Sequence, residues 1–219
     1  MEKYIEKLLT IELFHGITAQ QLPKVMHCLG GVINNYDKNQ FIYFEGCNTP
    51  DAGIVLEGHV QMVSSDSLGN RLILEEFGAK DFFAYNLTGL NPDYTPLNVV
   101  SVISSSVLFF DCDHILNAPS SCTYHNMLAD NLLRIMTRKN MNLNQKINVL
   151  SKRTIREKIM TFLVSEANKK GSSKITLNFN RQELADYLCV DRSALSRELG
   201  KLKNEGQLDF SNNYFELLI

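Results

Sequence analysis

Four polar side chains in the last third of the sequence have the types and the spacing needed to contact the base edges of DNA. They are Arg192, Ser193, Ser196 and Arg197, which share one side of a helix because they are one, four and five residues apart. An arginine can donate two hydrogen bonds to O6 and N7 of guanine, and a serine hydroxyl can contact base edges or phosphates. The alternative interpretation is a surface helix with scattered charge.

Two short amphipathic helices joined by a tight turn are predicted to hold these side chains. Asn180 can cap the first helix, and Glu183, three residues later, completes a capping box. Cys189 and Val190 form the turn, and Asp191 caps the second helix. The apolar faces that would pack together are Leu184, Ala185 and Leu188 on the first helix and Leu195, Leu199 and Leu202 on the second. This pattern is a helix-turn-helix, whose second helix enters the major groove by its amino-terminal end.

Short strands are predicted on both sides of the helix-turn-helix. Residues 174–179 precede it and residues 208–218 follow it. Asn212 and Asn213 fit a two-residue hairpin turn, because asparagine tolerates a positive φ better than most residues. A helix-turn-helix followed by a hairpin is a winged helix.

The distribution of charge agrees with a polyanion-binding carboxyl-terminal part. Residues 1–144 carry 9 Lys and Arg against 15 Asp and Glu, whereas residues 145–219 carry 13 against 9. The basic run Lys152, Arg153, Arg156 and Lys158 could contact phosphates. We favour a solvated or domain-packing helix face for this run, because the helix already has a buried side formed by Ile155, Ile159, Phe162 and Leu163.

A long helix is predicted from about Cys122 to about Leu150, where the sequence has no Pro or Gly. Roughly 28 residues at 1.5 Å each give a helix of about 42 Å, which is too long for one small domain to bury. Its apolar residues recur at spacings of three and four: Leu128, Leu132, Ile135, Leu143, Ile147 and Leu150. We expect this seam to pair with a second copy of the chain. The alternative is that it packs on its own amino-terminal domain.

The region from about Val32 to Asp111 contains many short apolar runs separated by glycines. The predicted strands are 41–44, 53–56, 59–63, 71–75 and later strands within 99–110. Many short strands of this spacing indicate a barrel or jelly roll. The predicted fold class is therefore α+β, with a jelly-roll-like β-roll over residues 1–121, a dimerisation helix over 122–150 and a winged helix-turn-helix domain over 151–219.

The sequence indicates a cytoplasmic protein that is not inserted in a membrane. The amino terminus is charged and lacks the apolar core of an export signal, and no stretch of about 18 apolar residues could span a bilayer. The five cysteines are odd in number and never form a Cys-x-x-Cys pair, which argues against a disulfide framework or a zinc site.

The chain resembles the Crp/Fnr family of bacterial transcription regulators over nearly its whole length. Besides the long helix and the winged helix, the resemblance rests on Leu56-Glu-Gly58-His-Val, Gly69, Gly78-Ala-Lys-Asp81-Phe82, the run from Arg181 to Ala185 and the run from Asp191 to Arg197. It implies that the β-roll senses a small molecule, that the long helix forms a homodimer, and that the dimer binds a palindromic promoter in double-stranded DNA. It also implies RNA polymerase as a partner.

The resemblance assigns roles to individual residues of the helix-turn-helix. Arg181 resembles a residue that contacts the DNA backbone, while Arg192 and Arg197 resemble the arginines that contact bases. Ser193 stands where the family has a base-contacting Glu, so the usual half-site preference is not implied. Cys189 stands at a turn position that the family usually fills with Gly, where the backbone favours a positive φ.

The resemblance argues against cyclic AMP as the effector. Members that bind cyclic nucleotides use a Gly-Glu pair and an Arg-Ser pair, and these fall on Ala84-Tyr85 and about Thr95-Pro96. A buried phosphate without a counter-charge is costly. With only Cys28 among the first 46 residues, no iron–sulfur cluster is expected.

No cofactor follows with certainty, and the effector is an unknown small molecule. The predicted effector pocket consists of Phe82, Phe83, Ala84, Tyr85, Thr95 and Leu128. Its rings suit an apolar or aromatic ligand, or they simply fill the barrel. Haem remains open because five histidines are possible ligands. Oxidant sensing by the cysteines is disfavoured because no Lys or Arg is adjacent to any of them and none has a resolving partner.

Two other classes of protein compete with a regulator. A small β-barrel with histidines could be a cupin-like metal-dependent enzyme, but His59 is the only histidine between His27 and His114, so we expect no enzyme. A ligand-binding module that acts through a protein partner is the other alternative. Salt-dependent DNA binding separates it from a regulator, because phosphate contacts release counterions.

Overall fold

The computed structural model describes residues 2–46, 52–65, 71–84, 97–116 and 124–218. The chain divides into two compact units. The first comprises Met1–Gly69 and Leu74–Arg138, and the second comprises Asn70–Ile73 and Lys139–Ile219. No helix in the described ranges is both long and apolar enough to cross a membrane.

The first unit is built on two four-stranded antiparallel sheets with the order β1-β8-β3-β6 and β2-β7-β4-β5. The strands are β1 (Val32–Tyr36), β2 (Phe41–Tyr43), β3 (Ala52–Glu57), β4 (Val60–Ser65), β5 (Arg71–Phe77), β6 (Phe82–Phe83), β7 (Asn98–Ser101) and β8 (Ser105–Phe110). The helices are α1 (Ile5–Leu8), α2 (Leu22–Cys28), α3 (Asp113–Leu116) and α4 (His125–Leu150). The start of β5, up to Ile73, and the part of α4 from Lys139 onward belong to the second unit. The predicted β-roll is confirmed.

The central strands β3 and β8 are buried on both faces because each face has its own core. Val55, Val107 and Phe109 point into the roll, where they pack with residues of the second sheet. Alternate residues such as Ile54 and Leu108 point to the other face, which the helices cover. The continuous burial of these strands follows from this two-sided packing.

Gly58 makes the tight turn between β3 and β4 possible. Its φ is +96°, a conformation that side chains rarely adopt, and a Cβ there would lie 2.2 Å from Oγ of Ser105. The turn therefore requires glycine on both conformational and steric grounds.

The first part of α4 is an integral part of the first unit. Leu128, Leu132 and Ile135 are buried in the core beside the amino-terminal helices, and the Asn131 amide donates hydrogen bonds to the carbonyls of Leu13 at 3.0 Å and His15 at 2.9 Å. The prediction that Leu128, Leu132 and Ile135 form a dimer interface is therefore wrong, because their own chain already covers them.

The second unit contains α5 (Ile155–Lys170), β9 (Lys174–Thr176), α6 (Arg181–Leu188), α7 (Arg192–Asn204), β10 (Leu208–Ser211) and β11 (Tyr214–Leu217). The strands form an antiparallel sheet with the order β10-β11-β9. Thr154 and Glu157 form a capping box at the start of α5, and Gly171, with a φ of +63°, ends it. The winged helix-turn-helix prediction is confirmed, including the hairpin turn at Asn212, whose φ is +52°.

Candidate nucleic-acid interface

The start of α6 is fixed by local hydrogen bonds. The Asn180 side chain accepts hydrogen bonds from the backbone N–H groups of Gln182 and Glu183 at 2.9 and 3.0 Å. The Glu183 carboxylate accepts one from the Asn180 N–H at 2.7 Å. The predicted capping box is confirmed, and it sets where the first helix of the motif begins.

The turn between α6 and α7 requires a left-handed residue. Cys189 has φ 52° and ψ 57°. Its N–H donates to the Asp186 carbonyl, and the N–H of Val190 donates to the Ala185 carbonyl, which closes the end of α6. A residue with a Cβ costs roughly 1–2 kcal/mol in this conformation. The predicted positive φ at Cys189 is confirmed, and the chain stores strain at the joint of its helix-turn-helix.

The helix α7 presents the predicted polar residues to solvent. Leu195, Leu199 and Leu202 are fully buried against the unit. The side of the helix away from them is exposed at Arg192, Ser193, Ser196 and Arg197. Asp191 occupies the N-cap position in an extended conformation, but its side chain makes no capping hydrogen bond. The prediction that the Asp191 side chain caps α7 is therefore wrong.

The guanidinium groups of Arg192 and Arg197, the two candidates for contacts with bases, are not engaged by carboxylates of the described residues. Within the described ranges, neither Arg192 nor Arg197 takes part in any of the ion pairs. The absence of an internal carboxylate partner means that a phosphate or a base edge would compete only with water for these guanidinium groups. Ser193 and Ser196 lie beside them on the same exposed side.

Arg181 is positioned differently, because it packs on the hairpin β10–β11, which we call the wing. Its guanidinium carbon lies 5.1 Å from the ring centroid of Phe210 and 5.5 Å from that of Phe215. It donates a hydrogen bond to the Asn212 carbonyl in the wing turn at 3.2 Å. Burial, with the nearby charge of Arg192, lowers the pKa of Arg181. The structure therefore gives Arg181 a role in holding the wing on α6.

An ion-pair cluster fixes α7 on α5. Nε of Arg156 donates to Glu198 at 2.7 Å, and its terminal nitrogens form a bidentate pair with Glu205, both at 2.7 Å. These hydrogen bonds lower the pKa values of Glu198 and Glu205 and raise that of Arg156. The cluster joins α5 to two positions seven residues, or about two helical turns, apart: Glu198 within α7 and Glu205 directly after its end.

The basic run before and within α5 serves domain packing at two of its four members. Arg156 is engaged in the cluster with α7, and Nζ of Lys158 donates to the Leu188 carbonyl at the end of α6, at 3.2 Å. A cation at that helix end is favourable because it faces the carbonyl pole of the helix dipole. The domain-packing interpretation is confirmed for these two residues, while Arg153 remains exposed.

A second apolar stripe runs along α4. It shares Leu143, Ile147 and Leu150 with the predicted seam and differs from that seam only in the first part of the helix. Its members are Leu133, Met136, Asn140, Leu143, Ile147 and Leu150, which are spaced alternately by three and four residues. Leu133, Leu143 and Ile147 are 67%, 50% and 63% exposed. We call this set the heptad stripe. The signal that could have revealed it is the single Asn140 inside an otherwise apolar heptad pattern, a feature typical of paired helices.

The predicted effector pocket does not form one site. Phe82 and Phe83 are adjacent in β6 and point to opposite faces of the sheet. Phe82 packs with Leu128 and Ala84 in the core that the helices cover. Phe83 lies inside the roll, 5.4 Å from Phe77 and 6.3 Å from Phe109 between ring centroids.

Because Phe82 and Phe83 lie on opposite faces of the sheet, the prediction that they line a single pocket is wrong. The alternative that rings fill the barrel is confirmed for Phe83. The predicted pocket residues Tyr85 and Thr95 lie outside the described residues.

The histidine at the centre of the enzyme alternative lies beside a carboxylate of its own chain. Nε2 of His59 lies 3.1 Å from Oε1 of Glu76, and Gln61 donates to the same carboxylate oxygen at 2.7 Å. Among the described residues, no group of three or more His, Cys, Asp or Glu side chains is placed to hold a metal ion.

Comparisons with known proteins identify the class of both units. Residues 33–121 match the family model of the cyclic nucleotide-binding domain, and residues 157–218 match that of the Crp-like helix-turn-helix domain. The second is a DNA-binding domain, so the chain is a DNA-binding transcription regulator and not an enzyme. No curated protein sequence matches the chain.

Solved structures share the fold across both units. A mutant of CooA from Carboxydothermus hydrogenoformans has a TM-score of 0.74 at 19% identity, covering 90% of this chain and 86% of that one. FixK2 from Bradyrhizobium japonicum has a TM-score of 0.66 at 22% identity, covering 85% and 92%. The c-di-GMP responsive global regulator CLP from Xanthomonas campestris has a TM-score of 0.68 at 16% identity, covering 92% and 100%. With both domain models matched in this order, the chain belongs to the Crp/Fnr family of transcription regulators.

Proposed function

We propose that the protein binds an inverted repeat in promoter DNA as a homodimer, under the control of a small effector in the β-roll. The observation that carries the proposal is the exposed amino-terminal end of α7, where Arg192 and Arg197 make no internal ion pair among the described residues. In winged and helix-turn-helix proteins this end of the second helix enters the major groove.

The contacts with DNA divide into two kinds. Arg192 and Arg197, with Ser193 and Ser196, are the candidates for base edges, because arginine can bind guanine with two hydrogen bonds. Arg181 is the candidate for the DNA backbone, and it also supports the wing through Asn212. The amino-terminal pole of α7, which the Asp191 side chain does not cap, favours a phosphate nearby.

The homodimer would form through the heptad stripe of α4. In heptad notation Leu133, Asn140 and Ile147 take the a positions, while Met136, Leu143 and Leu150 take the d positions. Ile at a with Leu at d favours two parallel strands, and a single Asn at an a position fixes their register. This arrangement supports two copies side by side, as two half-sites of an inverted repeat require.

The β-roll would hold the effector, as its match to the cyclic nucleotide-binding domain suggests. We propose that the effector is not cyclic AMP, because residues 90–97 contain no Lys or Arg to balance a cyclic phosphate. Effector binding would shift the equilibrium between two dimer conformations that differ in DNA affinity, and it can do so only through different affinities for the two. At the promoter, RNA polymerase is the partner that family membership implies.

The experiment that tests the DNA contacts compares Arg197→Ala with Arg153→Ala, a matched exposed arginine outside α7. Arg197→Ala should weaken binding to the preferred sequence by about 1–3 kcal/mol and relax specificity at one base pair. Arg153→Ala should leave the sequence preference unchanged. If Arg197→Ala binds every sequence as tightly as the wild type, the assigned role of Arg197 is wrong.

A further inference from the structure

The carboxyl-terminal part of α4 contains a buried lysine. Lys146 is only 7% exposed, its Nζ lies 3.7 Å from the ring centroid of Tyr187, and it donates a hydrogen bond to the Ile73 carbonyl of the same compact unit. Lysine is almost never fully buried unless its ammonium group is paired. A cation over an aromatic face is held most strongly where water is excluded.

The ring under this ammonium group belongs to the core of the DNA-binding unit. Tyr187 lies 5.1 Å from Phe162 of α5 and 4.9 Å from Phe179, measured between ring centroids. Tyr187 is on α6, which packs on α7 and has Leu184 and Leu188 buried. The contact of Lys146 with Tyr187 therefore fastens the end of α4 to the helices that carry the DNA contacts.

The same segment of α4 carries part of the heptad stripe. Leu143 and Ile147, which flank Lys146 in sequence, are exposed and available to a second copy. Lys146 itself points to the buried side. One short stretch of helix thus serves two contacts, the proposed dimer contact on one side and the anchor of the DNA-binding unit on another.

We propose that Lys146 is a positioning residue that fixes the orientation of α7 relative to the dimer axis, and thereby the half-site spacing that the dimer accepts. The inference rests on the proposed function. Adding one base pair between half-sites rotates one of them by about 35° around the duplex. A dimer whose α7 helices are firmly anchored to α4 should reject such a change, whereas a loosely anchored dimer should tolerate it.

The test measures DNA affinity of the full-length protein for the inverted repeat that the wild type prefers. The comparison duplexes contain the same half-sites with the spacer longer or shorter by one base pair, and a single half-site. The wild type should prefer its own spacing by roughly tenfold or more. Lys146→Met keeps the length and apolar stem of the side chain but removes the cation, and it should reduce this preference to about twofold. Its affinity for the single half-site should remain unchanged.

Two further variants separate positioning from a general loss of folding. Lys146→Arg keeps a cation over the ring and should retain the wild-type spacing preference. Tyr187→Leu removes the ring and should lose it, and combining it with Lys146→Met should add nothing further. These outcomes together would tie the spacing preference to this one contact.

The contrary outcomes are distinguishable. If Lys146→Met and Tyr187→Leu keep the spacing preference, or lose affinity for the single half-site to the same extent as for the repeat, the positioning role is overturned and the proposed function stands. If the wild type binds no inverted repeat at all, the proposed function and this inference are both overturned.

Discussion

The exposed heptad stripe leads to a quantitative prediction for Ile147→Ala. Ile147 is 63% exposed in the single chain. Full burial of an isoleucine side chain is worth about 1.5–3 kcal/mol, so covering the exposed part in a dimer contributes about 1–2 kcal/mol for each copy. The two copies together give about 2–4 kcal/mol, which corresponds to a rise of roughly 30- to 700-fold in the dimer dissociation constant on truncation.

The assay is sedimentation equilibrium over a range of protein concentrations, with Met141→Ala as the matched control. Met141 is 61% exposed on the same helix but follows Asn140 at a position outside the heptad stripe. Its truncation should leave the dissociation constant nearly unchanged. Equal effects of the two substitutions, or a wild type that sediments as a single chain, would refute the pairing of α4 through this stripe.

Two further predictions concern the stability of the DNA-binding unit. Cys189→Gly should raise the free energy of unfolding by about 1 kcal/mol, because glycine relieves the left-handed conformation at φ 52°. Cys189→Ala keeps the Cβ and should not stabilise the protein in urea unfolding under reducing conditions; an equal gain from both would point to the thiol. Arg156→Met should lower the melting temperature near neutral pH. Because hydrogen bonds from Arg156 lower the pKa values of Glu198 and Glu205 from 4.5, this contribution is full above that pH and is lost as the pH falls through the lowered values. The gap in melting temperature between variant and wild type should therefore narrow in acid, and a gap independent of pH would contradict the role of the cluster.

The local features of the DNA-binding unit could be predicted from the sequence because they depend on neighbouring residues. The capping box of Asn180 and Glu183 requires only residues three apart. The left-handed turn at Cys189 and the hairpin turn at Asn212 likewise follow from short-range backbone geometry. The exception is Asp191, which occupies the N-cap position without making the hydrogen bond that its residue type allows.

The pairing face of α4 could not be predicted in the same way. Two apolar stripes overlap on this helix, and periodicity alone does not distinguish the one that packs on its own chain from the one that remains exposed. Leu128 and Leu132 are covered by residues far away in sequence, while Leu133 beside them is open. That distinction depends on tertiary packing.

Strand alternation in the sequence already argues against the predicted effector pocket. Phe82 and Phe83 are neighbours in a strand, so alternation places them on opposite faces and they cannot line one cavity from the same side. The contact of Arg181 with the wing, by contrast, could not be predicted from the sequence. It joins residues about thirty positions apart, and no local sequence pattern indicates it.

The central claim is that two chains, joined along α4, place their α7 helices in adjacent major grooves. Selection of bound sequences from a random duplex library tests it most directly, with and without the small-molecule fraction of an extract from the producing cells. An inverted repeat whose half-sites lie about 10 base pairs apart, centre to centre, is the predicted result. Enrichment of a single unrepeated site, or no enrichment under either condition, would contradict it.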